Sequence, residues 1–100
     1  MKIEEKNFHI EIWHDVTPNI NDLEFYVFKD GIKYFCWAFT LEGVRKIIAK
    51  NKLTGENANG VYFWATNSFI LENITIDNII AAITDIIEYN SNSLRIMFPE

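Results

Sequence analysis

The stretch Leu23-Glu24-Phe25-Tyr26-Val27-Phe28-Lys29-Asp30-Gly31-Ile32-Lys33-Tyr34-Phe35-Cys36-Trp37-Ala38-Phe39 decides the fold. Residues 23–29 and 32–39 are aromatic and β-branched runs flanking Asp30-Gly31. A two-residue type I′ turn needs positive φ at both central positions, which Asp and Gly tolerate, so the pair reads as a β-hairpin. Such a loop sets the register: Phe28 opposite Lys33, Val27 opposite Tyr34, Tyr26 opposite Phe35, Phe25 opposite Cys36 and Glu24 opposite Trp37. Because side chains alternate along a strand, one face carries Leu23, Phe25, Val27, Tyr34, Cys36 and Ala38. The small Cys36 and Ala38 leave room there for a helix. The other face carries Glu24, Tyr26, Phe28, Lys33, Phe35 and Trp37, aromatic but fringed with charge.

Towards the N-terminus, residues 8–16 alternate with Phe8, Ile10, Ile12 and Val16 on one side. His9, Glu11, Trp13 and Asp15 lie on the other, the pattern of a half-buried strand. Residues 17–22 form a loop by their Pro, Asn and Asp content. Beyond the hairpin, Thr40 opens a helix, with Phe39 and Val44 as a hydrophobic staple and Glu42 in the first turn. Its expected buried stripe is Leu41, Val44, Ile47 and Ile48, and Gly55 supplies the stop. A loop over 55–60 follows. Residues 61–66 and 69–72 read as strands, with Asn67-Ser68 either a hairpin turn between them or part of one bent strand. A second helix starts at Thr75, and Ile76, Ile79, Ile80, Ile83, Ile86 and Ile87 recur on one helical face. Asn90-Ser91-Asn92-Ser93 ends it, and residues 94–98 form a last strand. The order β-β-β-α-β-(β)-α-β predicts one α+β domain over residues 1–100. It would be a mainly antiparallel sheet of five or six strands with two helices packed on one face.

Charge divides the chain. Residues 1–52 are formally neutral, whereas residues 53–100 set Glu56, Glu72, Asp77, Asp85, Glu88 and Glu100 against Arg95 alone and carry the whole net charge of −5. Such a one-sided field favours basic partners and opposes nucleic acid and anionic membranes. Met1-Lys2-Ile3-Glu4-Glu5-Lys6 lacks the basic and apolar regions of a signal peptide, and the longest apolar run, residues 79–83, is too short to span a bilayer. A cytoplasmic location is expected, with no membrane association.

Catalytic and cofactor chemistry finds little footing. Cys36 is the single cysteine, which excludes an intramolecular disulfide and a thiolate zinc site, and its neighbours mark it as a core residue. Of His9, Glu11, His14 and Asp15, at most three converge on a strand, too few for a metal site without help. Gly55 and Gly60 lack the spacing of a phosphate-binding loop. Arg45, Lys46, Lys50 and Lys52 form a short basic helix face with no stacking motif beside it, which reads as a solvated exterior. No cofactor, metal or enzymatic activity is expected.

Two surfaces stand out for partner binding. One is the acidic stripe Asp77, Asp85 and Glu88 with Glu72 nearby; the other is the aromatic sheet face of Tyr26, Phe28, Phe35 and Trp37, joined by Trp13 or Trp64. In size, acidity, aromatic content and order of elements, the chain resembles the small acidic immunity proteins that bacteria pair with contact-dependent-inhibition and other polymorphic toxins. That resemblance implies a cytoplasmic, non-enzymatic inhibitor that binds one cognate toxin domain, commonly a basic nuclease. The alternatives are a homodimeric interaction or regulatory module using the aromatic face, and a small-molecule-binding domain.

Overall fold

The computed structural model describes residues 1–88 and Pro99. The chain runs β1 (Lys2–Glu4), β2 (His9–Glu11), β3 (Asp22–Lys29), β4 (Ile32–Phe39), α1 (Leu41–Thr54), α2 (Glu56–Gly60), β5 (Ser68–Ile70) and α3 (Ile76–Glu88). It is an α+β fold built on one five-stranded sheet of order β1-β2-β3-β4-β5. The first four strands form an antiparallel meander, and β5 joins β4 in parallel. A parallel neighbour needs a crossover of a dozen or more residues, and α1, α2 and the segment after them supply it.

The hairpin has the register expected of its turn, with Phe28 opposite Lys33 and Phe25 opposite Cys36. Asp30 and Gly31 take φ of 52° and 75°, both positive as a type I′ turn requires. The face bearing Leu23, Phe25, Val27, Tyr34, Cys36 and Ala38 is buried, and α3 covers it with Ile79, Ile83 and Ile87. Phe8, Ile10 and Ile12 extend that core through β2. Thr40 caps α1 and Thr75 caps α3. The Gly43 N–H donates to Thr40 Oγ1 at 3.0 Å, and the Asn78 N–H donates to Thr75 Oγ1 at 3.0 Å.

Four departures from the sequence pattern have physical reasons. First, β1 pairs Ile3 with Ile10, a strand too short and too charged to register as a pattern. The ladder residues of β2 are only His9–Glu11 of the expected 8–16. Second, the stripe of α1 stays out of the main core: Leu41 is 66% exposed, and Val44, Ile47 and Ile48 are half-buried. Third, residues 61–66 are not a strand. Their alternation persists, with Phe63 and Ala65 half-buried while Tyr62, Trp64 and Thr66 are exposed, but β5 takes the edge of β4 instead. Phe63 meets Phe39 edge-on at 4.9 Å, so this segment closes a second, smaller apolar cluster at the end of β4. Asn67, at φ 51°, docks the chain by donating from Nδ2 to the Phe35 carbonyl at 2.9 Å, and β5 begins at once. Asn67-Ser68 is therefore neither a hairpin turn nor part of a continuous strand.

Fourth, the expected loop over 55–60 contains the single turn α2, with left-handed backbone at Asn57, Ala58 and Asn59. The expected helix stop at Asn90-Ser91-Asn92-Ser93 and the expected strand at 94–98 lie outside the described residues. Pro99 makes an isolated antiparallel bridge with Tyr34.

Candidate functional site

Strand register gathers one continuous platform on the sheet face opposite α3. Glu11, Tyr26 and Phe35 form one cross-strand row, and His9, Phe28 and Lys33 form the next. Glu24 and Trp37 begin a third. All eight side chains are half-buried. His9 stacks on Phe28 with centroids 4.5 Å apart, Tyr26 lies 5.5 Å from Phe35, and Tyr26 and Phe28 are 6.5 Å apart. Trp13, 68% exposed just beyond β2, reaches back to 5.3 Å from Tyr26. Trp37 packs 4.9 Å from Phe39, and its Nε1–H donates to Asp22 Oδ2 at 3.3 Å. The Lys33 ammonium lies 4.2 Å over the Tyr26 ring, a cation–π contact.

The charge on this platform is acidic. Glu4, 3.2 Å from Lys2, is paired. Among the described residues, the half-buried carboxylates of Glu11 and Glu24 have neither an ion-pair nor a hydrogen-bond partner. Partly desolvated carboxylates beside aromatic rings favour an incoming cation, because the lost hydration is recovered only by pairing.

The sequence-predicted partner residues divide between separate surfaces. Tyr26, Phe28, Phe35 and Trp37 come together as expected. Asp77, Asp85 and Glu88 are exposed on α3, turned away from the buried Ile79, Ile83 and Ile87. They therefore lie on the far side of the sheet from the rings, and one flat interface cannot engage both sets. Glu72 is exposed in the bend between β5 and α3, beside an open cleft that also touches Leu41 and Glu42. Trp64 is exposed on the 61–66 segment, outside the strands that carry the platform rows. Of the two tryptophans the sequence offered, Trp13 joins the platform, and His9 and Glu11 are the members that sequence reasoning left out of the site. Their signal was present in the alternation of residues 8–16, which put all three on one side, and pairing β2 antiparallel to β3 makes that side the aromatic one.

Burial pushes the Cys36 thiol up to about 12, so it is not a thiolate nucleophile near neutrality. Among the described residues, no three His, Cys, Asp or Glu side chains converge as a metal site. No helix among them is long and apolar enough to cross a membrane. Compared with known proteins, the chain matches no family model, no curated protein and no solved structure.

Proposed function

We propose that this protein is a non-enzymatic, cytoplasmic binding module that docks a basic protein partner on the open face of its sheet. The observation that carries this reading is the continuous row of rings across β2, β3 and β4, which no described helix covers, flanked by the carboxylates of Glu11 and Glu24, which have no partner among the described residues. Interfaces concentrate binding energy in buried Tyr and Trp anchors, while charge governs approach and partner choice. The acidic rim opposes phosphate, which argues against nucleic acid as the occupant. It also argues against a second copy of this chain. A symmetric dimer through this face would bring Glu11 and Glu24 of both copies into one interface with one Lys33 from each, a surplus of negative charge at a cost in like-charge repulsion.

The resemblance to immunity proteins supplies the specific version: a toxin domain with a basic, nuclease-type active site, blocked when the platform covers it. In this arrangement Asp77, Glu88 and their neighbours on α3 contribute long-range steering rather than contact. The test is a binding series against the partner captured from the source organism. A Phe35→Ala/Trp37→Ala variant is expected to weaken affinity by 100-fold or more, the loss typical of two interface anchors. An Asp77→Asn/Glu88→Gln variant should slow association by several-fold at low salt and have little effect at high salt. Unchanged affinity in the aromatic variant would overturn the reading. A monomer–dimer equilibrium abolished by that variant would assign the face to self-association instead.

A further inference from the structure

We infer that the notch between Trp13, Tyr26 and Phe35, with Glu24 at its side, holds the guanidinium of an arginine presented by the partner. This rests on the reading that the open sheet face binds a protein, and it names the residue type that the face selects. The notch is a cleft of about 120 Å³ whose polar members are His14 and Glu24. That is far more than the roughly 10–15 Å³ that one water molecule needs.

Its walls suit a flat cation. Trp13 and Tyr26 stand 5.3 Å apart with their planes inclined by 51°, and Tyr26 and Phe35 stand 5.5 Å apart inclined by 54°. Rings this close are in contact with one another, so a flat cation lies over the cleft they line and not between two rings. Trp13 is 68% exposed, so one wall is already at the surface and need not be uncovered. Lys33 Nζ already lies 4.2 Å from the Tyr26 centroid, so an incoming cation takes the ring surface that Lys33 leaves, that of the exposed Trp13 above all. Glu24 precedes Tyr26 by two residues on the same strand face. It is half-buried, and among the described residues it has no partner.

A guanidinium satisfies both features at once. It is planar and weakly hydrated, stacks on aromatic faces and can present two parallel N–H donors to one carboxylate. An ammonium is more strongly hydrated and offers no such fork, so lysine should bind less well. A neutral ligand of the same shape would leave the Glu24 carboxylate uncompensated.

The experiment uses the whole protein and three short capped peptides, Gly-Arg-Gly, Gly-Lys-Gly and Gly-citrulline-Gly, with the indole N–H resonance of Trp13 as the readout. The arginine peptide should give a saturable shift with a dissociation constant on the order of millimolar, a modest affinity per atom for so small a ligand. Citrulline, neutral but of nearly the same shape, should bind at least ~10-fold more weakly, with lysine in between. Glu24→Gln should lose the preference for arginine over citrulline, and Trp13→Ala should lose binding. Trp13 is largely exposed and Glu24→Gln is isosteric, so both variants should fold. Equal binding of arginine and citrulline, or no saturable response to arginine, would overturn the inference. The same holds if a captured partner needs Phe28 and Trp37 but is indifferent to Glu24→Gln and Trp13→Ala; the face would then stand without the notch. Arginine-selective binding with no partner on the face would leave the notch standing and remove the wider reading.

Discussion

His9 lies flat on Phe28, with ring centroids 4.5 Å apart and planes within 5° of parallel. The two are direct cross-strand partners of β2 and β3. Their neighbours Ile10 and Val27 are also partners, on the opposite face, and both are fully buried. The short strand β2 is thus held to the hairpin from both sides of the sheet, by core packing below and ring stacking above. Cross-strand aromatic pairs of this kind contribute roughly 0.2–1 kcal/mol each. The open face therefore has a structural part beside the binding one proposed for it, and truncating His9 or Phe28 should lower stability. Trp13 and Trp37 are cleaner probes of binding, because they lie at the margins of the platform.

The hairpin turn makes a sharp conformational demand. Gly31 has φ of 75°, and nothing lies within 4 Å of where a Cβ would stand, so any cost of a side chain there is backbone strain and not a clash. Gly31→Val should destabilise by ~1 kcal/mol or more, since a β-branched residue resists the left-handed region. The check is the midpoint of urea unfolding. An unchanged midpoint would mean that the turn is not of the positive-φ type.

Burial along α3 sets an order among its isoleucines. Ile83 is 1% exposed in the main core, whereas Ile80 is half-buried at its margin. Ile83→Asp would place an unpaired carboxylate in an apolar interior, at a cost of several kcal/mol, comparable to the whole stability of so small a domain. It should abolish cooperative thermal unfolding. Ile80→Asp, whose carboxylate can reach water, should keep a folded state with a lowered melting temperature. The reverse order would show that α3 is rotated about its axis.

The buried thiol gives stability a pH dependence with a definite sign. Cys36 is pushed by burial from its ordinary 9.0 up to about 12, so above pH 9 the unfolded chain releases a proton that the folded chain retains. This contribution is complete below about pH 9 and is lost as the pH climbs towards 12, at up to ~1.4 kcal/mol per unit. Urea unfolding at about pH 8 and about pH 10.5 should show a larger loss for the wild type than for Cys36→Ala. Equal losses would mean that the thiol ionises freely in the folded protein.

How much of this was legible in the sequence depends on how local the signal is. The Asp30-Gly31 turn, the Thr40 and Thr75 caps and the Ile79–Ile83–Ile87 spacing are set by neighbouring residues, and each appears as read. The fate of residues 61–66 was not local. Their alternation is that of a strand, but a strand also needs a free edge, and β4 gives its edge to Ser68–Ile70. The α1 stripe failed for a similar reason: Leu41, Val44, Ile47 and Ile48 have helical spacing, but the core face is already filled by α3. For the candidate site, the hairpin register brought Tyr26, Phe28, Phe35 and Trp37 together directly. Adding His9 and Glu11, and choosing Trp13 over Trp64, required knowing which strand lies beside β3, and separating the α3 acids from the rings required knowing which face α3 covers.

On the proposed reading, partners meet the open sheet face and not the acidic exterior of α3. It is tested most directly by parallel capture from the source organism with three baits: wild type, Trp13→Ala/Trp37→Ala, and Asp77→Asn/Glu88→Gln, each first shown to be folded. A basic protein should be retained by the wild type and by the α3 variant at moderate salt, and lost from the Trp13/Trp37 variant. A partner retained by the Trp13/Trp37 variant but lost from the α3 variant would contradict it.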